Sequence, residues 1–306
     1  MKAWKAELLL FLVTFIWGAT FLFTKVGLND CPPSLFIIIR FITALILSFL
    51  FFGKQFLKVE KKVVIHGIML GLMIGGGFLL QTYGLKYTTV SKSAFITGIT
   101  VVFTPIVFSI TQKSRIKSWQ KAGVIIAIPG LWLFTDPHFD SINLGDFLTL
   151  ISTVFWAFYI TYMDVFTKNR QSISHTAQLV ILQYLAAAPM AVITFFLFEY
   201  SSLYFNLSSN LILALAYNGI LASFLVTFIH TGVQKYSSPV KATLIFSLEP
   251  VIASSFAMIF INEFLSFWEY IGAGILFIGV LASVGGEFAL EFIRSKVRIK
   301  KESITG

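Results

Sequence analysis

Apolar stretches long enough to cross a bilayer recur ten times along this chain, at about residues 7–26, 34–52, 63–86, 91–111, 119–135, 145–166, 175–198, 210–234, 239–261 and 266–290. A hydrocarbon core about 30 Å thick asks for ~20 residues of helix, so the fifth stretch is short and the others suffice. Lipid offers no hydrogen-bond partners, and each stretch must therefore satisfy its own backbone as a helix. The predicted fold class is an all-α integral membrane protein of ten transmembrane helices. Composition agrees, since 57% of residues are hydrophobic and 12% charged, with a mean hydropathy of +0.85. Soluble domains run near 45–50% apolar and about 25% charged.

The net charge of +9 would point to nucleic acid in a soluble domain. Here its placement gives another reason, and no nucleic-acid partner is expected. Nineteen of the 23 Lys and Arg fall at the two ends and in alternate connections, around Lys54–Lys62, Lys113–Lys121, Lys168–Arg170 and Lys235–Lys241. The opposite connections hold Asp30, Asp136, Asp140, Glu199, Glu263 and Glu269. By the positive-inside rule both ends face the cytoplasm, in a multi-pass protein of the plasma (inner) membrane. Cys31 stands alone, which excludes an internal disulfide and places an unpaired thiol in a loop. Lys2, Lys5 and Gly18-Ala19-Thr20 imitate a secretion signal, but the symmetry below requires this first helix, so it is expected to be retained.

That symmetry is an internal repeat at a separation of 149 residues: Tyr87 matches Tyr236, Lys92 matches Lys241, Trp119 matches Trp268, Gly123 matches Gly272 and Gly130 matches Gly279. Further forward the interval shortens, with Phe15-Ile-Trp17 echoed by Val154-Phe-Trp156. Five helices per copy is an odd number, so the second copy enters from the other side, as two inverted repeats. The expected division is a first repeat over 1–137, an external linker over 138–144, a second repeat over 145–290 and a basic cytoplasmic tail over 291–306. Pro105 and Pro250 fall four residues out of this register, which predicts that the fourth and ninth helices break at slightly different depths.

The chain resembles the EamA family of the drug/metabolite transporter superfamily. The likeness is carried by Trp17-Gly18, by Gly84-Leu-Lys-Tyr-Thr-Thr-Val-Ser-Lys-Ser-Ala94, by Ser247-Leu-Glu-Pro-Val251 and by Asn262-Glu263-Phe-Leu-Ser266. It implies a carrier whose first, third, fourth, sixth, eighth and ninth helices surround a central substrate path. One departure is Lys113-Ser-Arg115 in the first copy, where the second has Asn262-Glu263.

Candidate cavity residues follow from polarity inside apolar runs. Glu249 lies near the middle of its run, and an ionisable group at such depth faces a bundle interior or a watery cavity; alternatively it caps the broken helix or bonds Lys241 or a nearby hydroxyl. Trp17 and Trp156 occupy matching deep places and either fill core volume or line the cavity. Tyr159 shares a face with Trp156. Ser93, Thr97, Thr100 and Thr104 form one stripe, and Ser223, Thr227, His230 or Thr231, and Gln234, with Asn218 deeper, form another. Such hydroxyls bond back to their own helix or line a wet path. Gln81 and His230 match at the 149-residue interval and either guard opposite mouths of one path or are two interfacial polar residues. Arg40 is expected to snorkel outward, the alternative being a contact with a substrate carboxylate. Gly67, Gly71 and Gly75 mark a packing face. Asp136, His138 and Asp140 read as solvated loop residues, and no metal is expected.

Together these features predict a secondary transporter, an exporter of a small organic metabolite such as an amino acid or related compound. It would work by alternating access, in contact with lipid and with the proton as a possible coupling ion. No phosphate-cradling Gly-x4-Gly-Lys-Ser/Thr run occurs, so the chain does not itself hydrolyse ATP. Catalytic residues and cofactors are not expected. The rival readings are a passive channel and a membrane-embedded enzyme, the latter needing a clustered nucleophile and base.

Overall fold

A computed structural model describes residues 1–113, 115–134, 143–168, 172–268 and 270–283, all without strand. Among these, eight helical runs are long and apolar enough to cross a membrane: Ala3–Gly27, Pro33–Leu57, Lys61–Tyr87, Val90–Gln112, Leu144–Thr167, Ile173–Phe198, Ser209–Tyr236 and Pro239–Ile261. Ser118–Phe134 is a 17-residue helix, and Tyr270–Ser283 a shorter apolar one. We label the α-helices α1 (Ala3–Gly27), α2 (Pro33–Phe52), α3 (Lys61–Tyr87), α4 (Val90–Gly98), α5 (Thr100–Gln112), α6 (Ser118–Phe134), α7 (Leu144–Thr167), α8 (Ile173–Phe198), α9 (Ser209–Ala216), α10 (Val226–Val233), α11 (Pro239–Phe246), α12 (Glu249–Ile261) and α13 (Tyr270–Ser283). Asp136, His138 and Asp140, nearly all of the expected linker, and the basic tail lie outside the described residues.

The repeat governs where helices start and stop. α4 begins at Val90 and α11 at Pro239, α5 begins at Thr100 and α12 at Glu249, and the pairs end at Gln112 and Ile261, each 149 residues apart. The caps repeat as well. Thr89 accepts the backbone N–H of Lys92 as Ser238 accepts that of Lys241, and the left-handed residues after α5 and α12 are Lys113 (φ 49°) and Asn262 (φ 55°). The expectation that the two breaks lie at different depths is therefore wrong. Both runs break at the same register, at Ile99 and at Ser247–Leu248, because the prolines do not set the position. Pro250 sits in the first turn of α12, where its missing N–H costs little, whereas Pro105 lies inside α5 beyond the break. Hydroxyls take up carbonyls around both breaks, Thr100 donating to Thr97 O at 2.6 Å and Ser247 to Leu244 O at 2.7 Å.

Packing joins one copy to the other. The glycine face of α3 lies on α8, so close that a Cβ added at Gly67 would come 2.3 Å from Leu182, and one at Gly71 would come 2.5 Å from the carbonyl of Gln183. α6 and α13 cross antiparallel: a Cβ at Gly123 would meet Gly279 O at 2.8 Å, and one at Gly130 would meet Gly272 O at 2.9 Å. Gly123 matches Gly272 and Gly130 matches Gly279 in the repeat, so each contact is the image of the other, as at a two-fold axis.

Candidate functional site

Where α1, α3, α4, α7 and α11 converge, residues of both copies line a cleft. α1 contributes Trp17, Thr20 and Phe21; α3 contributes Phe78 and Gln81; the first break contributes Thr97, Gly98 and Thr100. From the second copy come Trp156 and Ile160 of α7, then Thr243, Phe246, Ser247 and Glu249 around the second break. Of the fourteen lining residues, five are aromatic and seven polar or charged. Trp17 and Trp156, the matched pair, stand with ring centroids 6.0 Å apart.

The breaks explain the polar groups. Gln81 donates to Thr97 Oγ1 at 2.9 Å, and Thr97 donates in turn to Ser93 O at 2.9 Å. Glu249 opens α12, where the exposed N–H groups of a helix start favour negative charge. Among the described residues no side chain hydrogen-bonds its carboxylate. Lys241, one sequence-based alternative, pairs instead with Glu7 at 2.5 Å.

Of the sequence candidates, Trp17, Gln81, Thr97, Thr100, Trp156 and Glu249 line the cleft. Tyr159, Asn218, Thr227 and His230 are fully buried outside it. His230 packs edge-on against Trp17 and Phe246, at 5.5 and 5.2 Å, and bonds Gln234 at 2.8 Å, so it backs the wall while its repeat mate Gln81 forms part of it. Tyr159 donates to Gln183, Thr227 bonds Tyr184, and Asn218 takes the hydroxyl of Thr24. The last of these lies in a π-helical segment, Tyr217–Leu225. Arg40 does not snorkel outward as expected. It is 1% exposed, donates from Nε to Ser223 at 2.7 Å and lies over the Phe78 ring at 3.8 Å. An internal acceptor and a ring face hold it inside.

Sequence reasoning missed the apolar wall, Phe21, Phe78, Ile160 and Phe246, because a cleft-lining aromatic in an apolar helix carries no distinguishing pattern. It also missed two ion pairs at the ends of the molecule. Glu7 of α1 pairs with Lys241 of α11, buried, and Asp146 of α7 pairs with Lys92 of α4 at 2.7 Å, partly exposed, while Thr88 also donates to Asp146. The 139-residue interval that matches Trp17 with Trp156 also matches Glu7 with Asp146, so a signal was present. Each pair joins one copy to the other, and each is the image of the other under the repeat.

A chain helical and without strand over its described residues, with runs long and apolar enough to cross a membrane, duplicated and folded around a shared cleft, has the form of a membrane transporter. Residues 4–135 and 143–285 each match the EamA-like transporter family, and the chain belongs to that family. An "Uncharacterized transporter" of Archaeoglobus fulgidus is 30% identical over 285 residues, covering 92% of this chain and 86% of its own. A "Probable amino-acid metabolite efflux pump" of Escherichia coli K12 is 24% identical over 92% of this chain and 95% of its own. A solved crystal structure shares the fold with a TM-score of 0.74 at 17% identity, covering 95% of this chain.

Proposed function

We propose that this chain is a secondary exporter of a small, mainly uncharged or zwitterionic organic metabolite, such as an amino acid or related compound. It works by alternating access of two inverted five-helix copies. In this reading ten helices span the plasma (inner) membrane with both ends cytoplasmic, and α6 and α13 are the fifth spans of their copies. The observation that carries it is the cleft built by both copies at their seam, with matched Trp17 and Trp156 across it. The antiparallel crossing of α6 and α13 supports the inversion, since a two-fold relation between antiparallel helices has its axis perpendicular to them. The efflux pump among the relatives supports the substrate class. The candidate substrate contacts are Trp17, Gln81, Thr97, Thr100, Trp156 and Glu249, backed by Tyr159, Asn218, Thr227 and His230. A carboxyl lining the cleft with no side-chain partner can take up and release a proton there, which makes Glu249 the candidate for coupling.

Counterflow in liposomes carrying the full chain is the test. A carrier accelerates uptake of labelled substrate when unlabelled substrate is inside, and uptake saturates; a channel does neither. Coupling is tested by Glu249→Gln across a pH step, where an unchanged pH response removes the proton from the mechanism.

A further inference from the structure

Two ionisable side chains sit in the interior without an ionisable partner of opposite sign. Arg40 contacts no carboxylate among the described residues, and its Nη2 is buried with no hydrogen-bond acceptor. Glu249 lines the cleft without a side-chain partner. An unpaired ion in the hydrocarbon region is costly and retained for function by default. A second buried donor, Trp156 Nε1, also lacks an acceptor, while its repeat mate Trp17 donates to Ala222 O at 3.0 Å. The two orphan donors are one ring apart, because Phe78 lies 3.8 Å from the Arg40 guanidinium and 4.7 Å from the Trp156 ring. Phe78 itself lines the cleft, so this one ring stands between the cleft and Arg40.

We propose that the cleft binds a zwitterionic α-amino acid, its ammonium on Glu249 and its carboxylate on Arg40 and Trp156 once Phe78 has swung aside. The planar guanidinium and the indole N–H suit the two oxygens of a carboxylate. Trp17, Phe21 and Phe246 give an apolar side chain its wall. The proposal rests on the carrier reading above and deepens it, turning two unpartnered ionisable side chains into the two halves of one ligand site.

The experiment is isothermal titration of the full chain, in detergent, with L-phenylalanine, L-leucine and L-methionine. Alongside run L-phenylalanine methyl ester, which lacks the carboxylate, and 3-phenylpropionate, which lacks the ammonium. The expected result is that at least one amino acid binds, and that phenylalanine binds about tenfold or more tightly than either analogue. Arg40→Met should bring the amino acid down to the ester's affinity while leaving the ester unchanged, and Arg40→Lys should restore part of the difference. Glu249→Gln should abolish the preference for phenylalanine over 3-phenylpropionate. The proposal is overturned if the wild-type chain binds none of the amino acids or fails to prefer the zwitterion over its analogues, a comparison that needs no variant. It is also overturned if Arg40→Met weakens ester and amino acid equally, which is the mark of a purely structural arginine. Counterflow keeps the two readings apart. Transport of another class of compound without amino-acid binding sinks this site and spares the carrier, whereas the expected binding pattern without counterflow sinks the carrier and spares the site.

Discussion

Cys31 illustrates how a single residue's surroundings decide its chemistry. It is fully buried between α1 and α2, and burial first, then the charges of Glu199 and Asp30, push its thiol up to about 12. At pH 8 only roughly one thiol in ten thousand is then ionised, and the thiolate is the nucleophile. Maleimide at pH 8 should leave Cys31 unmodified in the folded protein and modify it fully in denaturant, as mass spectrometry would show. The sign of the linkage is also fixed. An acid whose folded pKa is raised loses stability as pH climbs above the unfolded value of about 8.5, because only the unfolded chain ionises there. Thermal unfolding followed from pH 8 to pH 10 should therefore show a downward slope that Cys31→Ala reduces. Legibility at this scale was uneven. Glu249 announced itself as a carboxylate in an apolar run, and Trp17 and Trp156 by their matched places. The inward turn of Arg40 was hidden, since its acceptor, Ser223, is 183 residues away and reachable only through a π-helical segment.

Between elements the glycines and the end pairs carry the argument. At Gly71 an added Cβ meets the backbone of α8, which cannot retreat like a flexible side chain, so Gly71→Leu should destabilise by ~1–3 kcal/mol. At Gly274 in α13 nothing lies within 4 Å of an added Cβ. Gly274→Leu should therefore stay within about 0.5 kcal/mol of wild type in the same unfolding measurement. The two ion pairs should differ in the same way. Glu7 and Lys241 are 8% and 3% exposed, and breaking a buried pair of this kind costs ~3–5 kcal/mol. Lys92 is 34% exposed, and loss of its pair with Asp146 should cost only ~0.2–1 kcal/mol. Unfolding of Glu7→Gln and Asp146→Asn, each with its reciprocal double variant, measures both; equal costs at the two ends would contradict this account. The glycine spacing was legible because close helix packing demands it at fixed intervals. The break positions were misjudged because proline was taken as the cause, when the repeat places both breaks and proline is merely tolerated near them.

On the scale of the whole molecule, duplication was the most legible property, since an interval of 149 residues survives in helix starts, caps and glycine contacts alike. Which side of the bilayer each end occupies is an expectation from charge. Labelling of single cysteines in a Cys31→Ala background should find residue 2, the 113–118 connection and the tail on one side, with Asp30 and the 199–208 segment on the other. Ends on different sides would break the inversion. The cross-copy ion pairs bear on this as well. One end of the molecule is held by a dry pair and the other by a pair that water and salt can reach, so in the proposed alternating-access cycle the two ways of opening do not require the same work. Salt screens exposed charges over roughly 8 Å at physiological strength and buried ones much less. Ionic strength should therefore act as a one-sided control, loosening the Lys92–Asp146 end while leaving the Glu7–Lys241 end shut, and an empty carrier should idle facing the side on which its fastening is wet.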